Sequence, residues 1–439
     1  MRGTRLGTLW LAALTLTAVL LPPRAAAQPA PAPAFDPVAA TNAYLASVPA
    51  AERARSDVYF EGGYWLQLWD FLIGAGVALL LLATRLSAWM RDLAERLTPW
   101  QPLRTFLYWV QYFLVIVVVS LPMTIYEGFI REHAYELATQ GFGGWLGDQA
   151  KGWMLGITFG GLLVTFLYGA IRRLPRTWWL WGAVGTIVFL AFVQLIAPVF
   201  IMPMFNKYTR LTDPVVREPI LRMARANGLD ATDVWVADAS RQSKRVSANV
   251  SGFLGTERIT LNDNLLKRCS LPEIETVMGH EIGHYVMNHV YKAFLFFAVV
   301  TVVGFAFLRW AFDAVVERHG ERWGIRGIGD LAGLPLLALL LTTFFFVLTP
   351  VTNSYIRIEE AEADMYGLNA ARQPDAEARV DLMLGEYRKL APGRLEEILF
   401  FDHPSGRSRI LMAMRWKAEH LHDDATAAPA AAIPAARTP

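Results

Sequence analysis

His280-Glu281-Ile282-Gly283-His284 is the segment of this chain whose residue types and spacing can do chemistry. Two imidazoles four residues apart on a helix project from one face and can share a zinc ion, and the glutamate after the first can reach a water on that metal. That combination is the core of a metallopeptidase site. The helix that must carry it has an upstream start signal, because Ser270-Leu271-Pro272-Glu273 is a capping box with proline in the first turn. Leu271, Ile274, Val277 and Met278 then supply its packing side. The competing reading is a His/Glu/His triplet on a solvated helix face.

A catalytic zinc takes three protein ligands and keeps one position for water, so a third ligand must come from elsewhere. The metzincin continuation is excluded, since it needs Gly at 287 and His at 290 where the chain has Met287 and Val290. His289 falls about 140° round a continuing helix from His284 and reads as a capping or surface histidine. A carboxylate on a second helix remains. Glu360 and Asp364 form an i,i+4 pair of like charges, unfavourable by a few tenths of a kcal/mol unless a cation compensates it. Glu360 as the third ligand, with Asp364 fixing the tautomer of a zinc histidine, would meet that need. Alternatively these acids form a solvated face with Arg357 as their partner.

The H-E-x-x-H helix, the later block of Arg357, Glu360, Ala363 and Asp364, and their setting among hydrophobic segments resemble the integral-membrane zinc endopeptidases that include the type I CAAX prenyl protease. These are gluzincins, with H-E-x-x-H plus a downstream glutamate. The resemblance covers roughly residues 60 to 415. It implies a helix bundle enclosing a large chamber, one zinc ion, and a peptide or protein substrate that is lipid-modified in part of the family. Ser247 to Phe253 followed by Glu257 to Leu261 resembles the family's hairpin, whose edge strand pairs with substrate, and Asn249 takes the substrate-contacting position. Phe401-Asp402-His403-Pro404-Ser405 with Arg409-Ile410 resembles the C-terminal block whose histidine holds substrate or the oxyanion, which gives His403 a catalytic role beside Glu281.

Composition puts this chemistry in a bilayer. Apolar residues make up 54% of the chain and charged residues 18%, unusual for a soluble enzyme of this size. Six apolar runs, at roughly 66–84, 105–125, 153–171, 178–202, 291–312 and 331–351, approach the twenty residues that a bilayer requires. The expected fold is mostly α, a polytopic membrane bundle with a small α+β zinc-peptidase insert. Its parts are a signal peptide at 1–27, an exported segment at 28–63, four spans at 64–202 and the insert at 203–290. Two further spans follow at 291–351, then the second half of the peptidase region at 352–422 and a disordered Ala/Pro-rich tail at 423–439. Arg2 and Arg5 before the run Leu11 to Leu21, with Ala25-Ala26-Ala27 as cleavage site, carry the signal-peptide reading, and residues 8–22 kept as a seventh span are its alternative.

Arginines crowd the loops at 85–104 and 171–177, whereas the loop between the second and third spans carries Arg131 and Lys151 beside four acids. Short basic loops stay in the cytoplasm, so the insert and Glu360 are expected on the outer face of a bacterial inner membrane. A net charge of +2 speaks against a nucleic-acid partner, and the single cysteine, Cys269, allows no internal disulfide. Two functions of different class follow. One is a zinc-dependent metalloendopeptidase at the membrane boundary, either of CAAX-processing type or a quality-control peptidase of broad specificity. The other is a non-catalytic scaffold that keeps zinc for stability, against which an intact Glu281 argues, because a structural zinc needs no base.

Overall fold

The computed structural model describes residues 35–251 and 258–426. The N-terminal run read as a signal peptide or seventh span, the residues 252–257 that join the hairpin strands, and the tail after 426 lie outside them. In chain order the helices are α1 (Pro37–Ser47), α2 (Ala50–Ala83), α3 (Leu86–Leu97), α4 (Gln101–Ala134), α5 (Phe142–Arg173) and α6 (Trp178–Met204). The middle of the chain supplies β1 (Tyr208–Arg210), α7 (Pro214–Ala226), β2 (Val234–Ala237), β3 (Ala248–Ser251), β4 (Arg258–Asn262) and α8 (Asp263–Arg268). Then come α9 (Leu271–Val286), α10 (His289–Trp323), α11 (Leu334–Ala371), α12 (Pro374–Leu384), α13 (Arg394–Phe400) and α14 (Gly406–Thr426). The last of these extends into the segment expected to be disordered from Asp423.

Six helices, α2, α4, α5, α6, α10 and α11 with the turn before it, are long and apolar enough to cross a membrane. They exceed a bilayer's need. A span takes about twenty residues, whereas α10 has 35 and α11 has 38, so both project beyond the apolar slab as continuous rods. The bundle is held by Tyr108, Tyr168, Trp178, Phe305 and Leu308, which interlock α4, α5, α6 and α10. Phe305 and Trp178 meet edge to face.

Outside the spans, a second core joins α7, the sheet and α9 through Ile220, Val234, Ile259, Leu261, Ile274, Met278 and Ile282. Ile274, Met278 and Ile282 recur every four residues, so α9 buries one stripe against the sheet, leaving His280 and His284 off that stripe and Glu281 at the sheet's edge. Its start follows the sequence: the Ser270 amide donates to the Glu273 carboxylate at 2.8 Å, closing the capping box. The sheet order is β1-β2-β4-β3, with β3 antiparallel to β4 and Asn249 opposite Thr260. β3 is therefore an edge strand.

Candidate metal centre

Glycines bring α9 and α11 together. A Cβ added to Gly279 would lie 3.1 Å from the Cα of Gly367, and one added to Gly367 would lie 2.9 Å from the His280 amide nitrogen. Gly283 is likewise close against Tyr366 and the Ala363 carbonyl. With no side chain between the backbones, the carboxylates of Glu360 and Asp364, two turns and one turn before Gly367, reach across to the histidines of α9. Spacing within one helix gave no sign of this crossing.

Among the described residues, His280, His284 and Glu360 form a group whose ligand atoms all lie within 4.8 Å of one another. The two Nε2 atoms are 3.0 Å apart, and the Glu360 oxygens stand 3.3 Å from His280 Nε2 and 3.5 Å from His284 Nε2. Zinc bonds of 2.0–2.1 Å in tetrahedral geometry place neighbouring ligand atoms about 3.3 Å apart. Two imidazole nitrogens and one carboxylate at these separations therefore fit three corners of a zinc tetrahedron.

Each metal-side histidine has its outer nitrogen engaged. His280 Nδ1 lies 2.8 Å from Asp364 Oδ1, and Arg409 donates to both oxygens of that carboxylate at 2.6 and 2.8 Å. Arg409 also faces Asp381 at 3.1 Å and Glu377 at 3.4 Å, so one guanidinium meets three buried carboxyls. Burial pushes Glu377 up to about 7 and Asp381 well above the ordinary carboxylate range, which directs the guanidinium's charge to Asp364. The sequence offered Arg409 only as part of a motif and gave no hint of its two further acidic partners.

His284 Nδ1 lies 2.9 Å from His289 Nδ1, and His289 Nε2 lies 3.1 Å from Glu362. With His284 Nε2 turned to the metal position, its Nδ1–H donates to His289, whose Nε2–H donates to Glu362. This corrects the expectation for His289, which is buried and faces the site. The helix does not continue past Val286. Asn288 takes a left-handed φ of 59° and a new helix starts at His289, so extrapolating 100° per residue across that break fails. An asparagine two residues past Val286 was the available signal.

Glu281 is held beside the sheet edge, where its carboxylate accepts from the Val250 amide of β3. Burial raises this carboxyl above the ordinary glutamate range, opposed by the two imidazoles and that amide. Next to Val250, the Asn249 Oδ1 is buried with no hydrogen-bond partner among the described residues. His403 comes from the far side, its Nε2 3.2 Å from Glu360 and its Nδ1 2.8 Å from Asp402. Arg357 does not serve as counter-ion to the acidic run. It donates instead to the carbonyls of Phe401 at 2.6 Å and Glu397 at 2.9 Å, fixing the loop that presents His403.

The chain matches two family models: peptidase family M48 over residues 210–417, and the CAAX prenyl protease N-terminal region with five membrane helices over residues 42–207. It is 30% identical to the uncharacterized metalloprotease YhfN of Bacillus subtilis over 81% of this chain and 85% of that one. It is 33% identical to CAAX prenyl protease 1 of Saccharomyces cerevisiae over 67% of this chain and 68% of the yeast protein. The crystal structure of S. mikatae Ste24p shares the fold, with a TM-score of 0.70 at 20% identity, covering 86% of this chain and 95% of that one. A metal cofactor, a peptide or protein substrate and a multi-pass membrane setting follow from these likenesses together with the six apolar helices. The chain belongs to peptidase family M48 and is an integral-membrane metalloendopeptidase of the CAAX prenyl protease type.

Proposed function

We propose that the metal is one zinc ion held by His280, His284 and Glu360, and that the enzyme cuts extended peptide segments at the boundary of a bacterial inner membrane. The observation that carries this reading is the ligand triangle, whose separations of 3.0 to 3.5 Å match the edges of a zinc tetrahedron. A zinc bound there supplies an acidified water and a Lewis acid for the scissile carbonyl. Glu281 takes the proton of the attacking water and passes it to the leaving amine, so one carboxylate serves both halves of hydrolysis. β3 holds the peptide extended through main-chain bonds, and the free Asn249 Oδ1 accepts from a substrate N–H. His403, steadied by Asp402, donates Nε2–H to the developing oxyanion.

Single substitutions test the ligand set. Glu360→Ala is expected to abolish stoichiometric zinc, and Asp364→Ala to weaken it by about 10- to 100-fold, as loss of a histidine's outer partner does. Glu359→Ala is expected to leave the metal in place, because Glu359 is bonded by Tyr355 on its own helix and is not one of the three clustered ligands. Metal analysis of the purified proteins decides. Retention of zinc by Glu360→Ala together with loss from Glu359→Ala or Glu362→Ala sinks the assignment.

Main-chain recognition by a strand edge favours breadth of sequence. CAAX-type processing, the activity named for the yeast relative, and quality-control cleavage of membrane proteins are both compatible with it. The alanine- and arginine-rich composition of a bacterial type favours the broader role. Cleavage products from a peptide library, read by mass spectrometry, separate the two: cleavage confined to prenylated C-terminal peptides rejects the broad reading.

The metal site is read as facing the outer, periplasm-like side. Support comes from the arginine-rich loops at 85–104 and 171–177, which lie at the other end of the helices from His280: Arg85 donates to the Arg322 carbonyl at the end of α10, and His289 begins that helix. Alkaline phosphatase fused at the tail is expected to be active, and fused in the 171–177 loop silent. The opposite pattern refutes an outward-facing site.

A further inference from the structure

About 50 Å along α10 from the metal centre, at 1.5 Å per residue, the opposite ends of the spans enclose a second polar feature. It is a cavity of about 280 Å³, lined by Arg91, Arg104, Arg172 and Arg326 against Glu95 and Asp330. The metal chemistry makes no use of it. Its wall is built: Arg91 and Asp330 are both buried and bonded at 2.6 Å, and Asp330 also accepts from the amides of Arg326 and Ala332. These bonds fix the loop between α10 and α11 and account for one guanidinium and one carboxylate.

The other three arginines are less compensated. Arg326 reaches Glu95 at 3.3 Å and Asp92 at 3.4 Å, while Arg104 approaches Glu95 only at 3.8 Å and otherwise donates to the Thr98 carbonyl. Arg172 donates to the Thr105 hydroxyl at 3.1 Å and is paired with no carboxylate among the described residues. Even counting Asp92, four guanidiniums meet three carboxylates. A cavity with surplus guanidinium hydrogens converging from α4, α5 and the loop after α10 suits a tetrahedral oxyanion, which guanidinium binds with paired bonds. Its volume equals about nine liquid waters at about 30 Å³ each, room for a phosphate and the start of its ester.

The surroundings select a lipid. Gln101 lines the cavity and is the first residue of the apolar span α4. Trp100 just before it is 64% exposed, and Leu97 and Leu103 are exposed beside it. Tryptophan at a span end marks headgroup level, and exposed leucines next to it offer a track for acyl chains. We propose that this cavity binds the phosphate of an anionic phospholipid at the membrane face opposite the metal centre.

Native mass spectrometry of the full-length protein from mixed micelles of phosphatidylcholine and phosphatidylglycerol tests this. The wild type is expected to retain phosphatidylglycerol selectively, and Arg172→Gln to lose retention by tenfold or more. Gln101→Glu is a second variant that removes no contact. It sets a negative charge at the rim, where an acid in the first turn of α4 favours the helix, and it is expected to lose retention equally. Unchanged peptide cleavage and zinc content in both variants establish that they are folded. Equal retention of phosphatidylglycerol by the wild type and a folded variant overturns the proposal, as does equal retention of the two lipids by the wild type. Displacement of the retained lipid by millimolar inorganic phosphate also overturns it, by assigning the site to a soluble anion.

Discussion

Glu281→Gln is expected to leave one zinc per chain and an unchanged melting curve while lowering peptide turnover by about 10³-fold, within the usual range for loss of a general acid–base. The amide is isosteric with the carboxylate and its oxygen can still accept from the Val250 amide, so the strand contact survives. What it cannot do is take a proton from water. His280, His284 and Glu360 are untouched, which keeps the metal. Metal analysis beside a peptide-cleavage assay reads both quantities in one preparation. Turnover near that of the wild type with zinc present removes Glu281 from the chemistry, and loss of zinc makes it a ligand instead of a base.

The second large effect comes from a residue with no functional group. Gly367→Ala is expected to reduce zinc affinity by about 100-fold, the upper end of what changes behind the ligands cost. The new methyl would stand 2.9 Å from the His280 amide nitrogen, against backbone that cannot rotate away. Overpacking of this kind costs about 1–3 kcal/mol and is relieved by parting the helices, which draws Glu360 and Asp364 back from their histidines. Gly63→Ala is the control, since a Cβ there meets nothing within 4 Å. Equal zinc affinity in Gly367→Ala and the wild type, measured by competition with a chelator, shows that the crossing does not set the site.

The parts of the site that were legible in the sequence are those encoded by local spacing. Two histidines at i,i+4, a capping box four residues long and two acids one turn apart each declare a helix face without reference to the rest of the chain. The six spans were legible for a similar reason, because a bilayer imposes a length and a composition on each segment separately. The illegible parts are those that join distant segments. Gly279 and Gly367 matter only as a pair, and Arg409 gains its role from Asp364, Glu377 and Asp381 on two other helices. His289 was misread because one left-handed residue resets the helical phase. The span expected to end near 351 continues as one helix: α11 runs unbroken through Glu360 to Ala371.

If β3 holds substrate as proposed, its four residues set a minimum on what the enzyme can cut. An edge strand offers its bonds only to backbone groups that have no partner of their own, and four residues of extended chain measure about 13 Å. A protein in its native state has few such stretches, because its amides are already taken by its own helices and sheets. Frayed ends, unassembled subunits and damaged chains have many. On that proposal, selection falls on the folding state of the substrate more than on its sequence: how often a chain exposes a short unstructured run within reach of the bilayer would decide its lifetime, and a stable neighbour in the same membrane would be spared without being recognised at all.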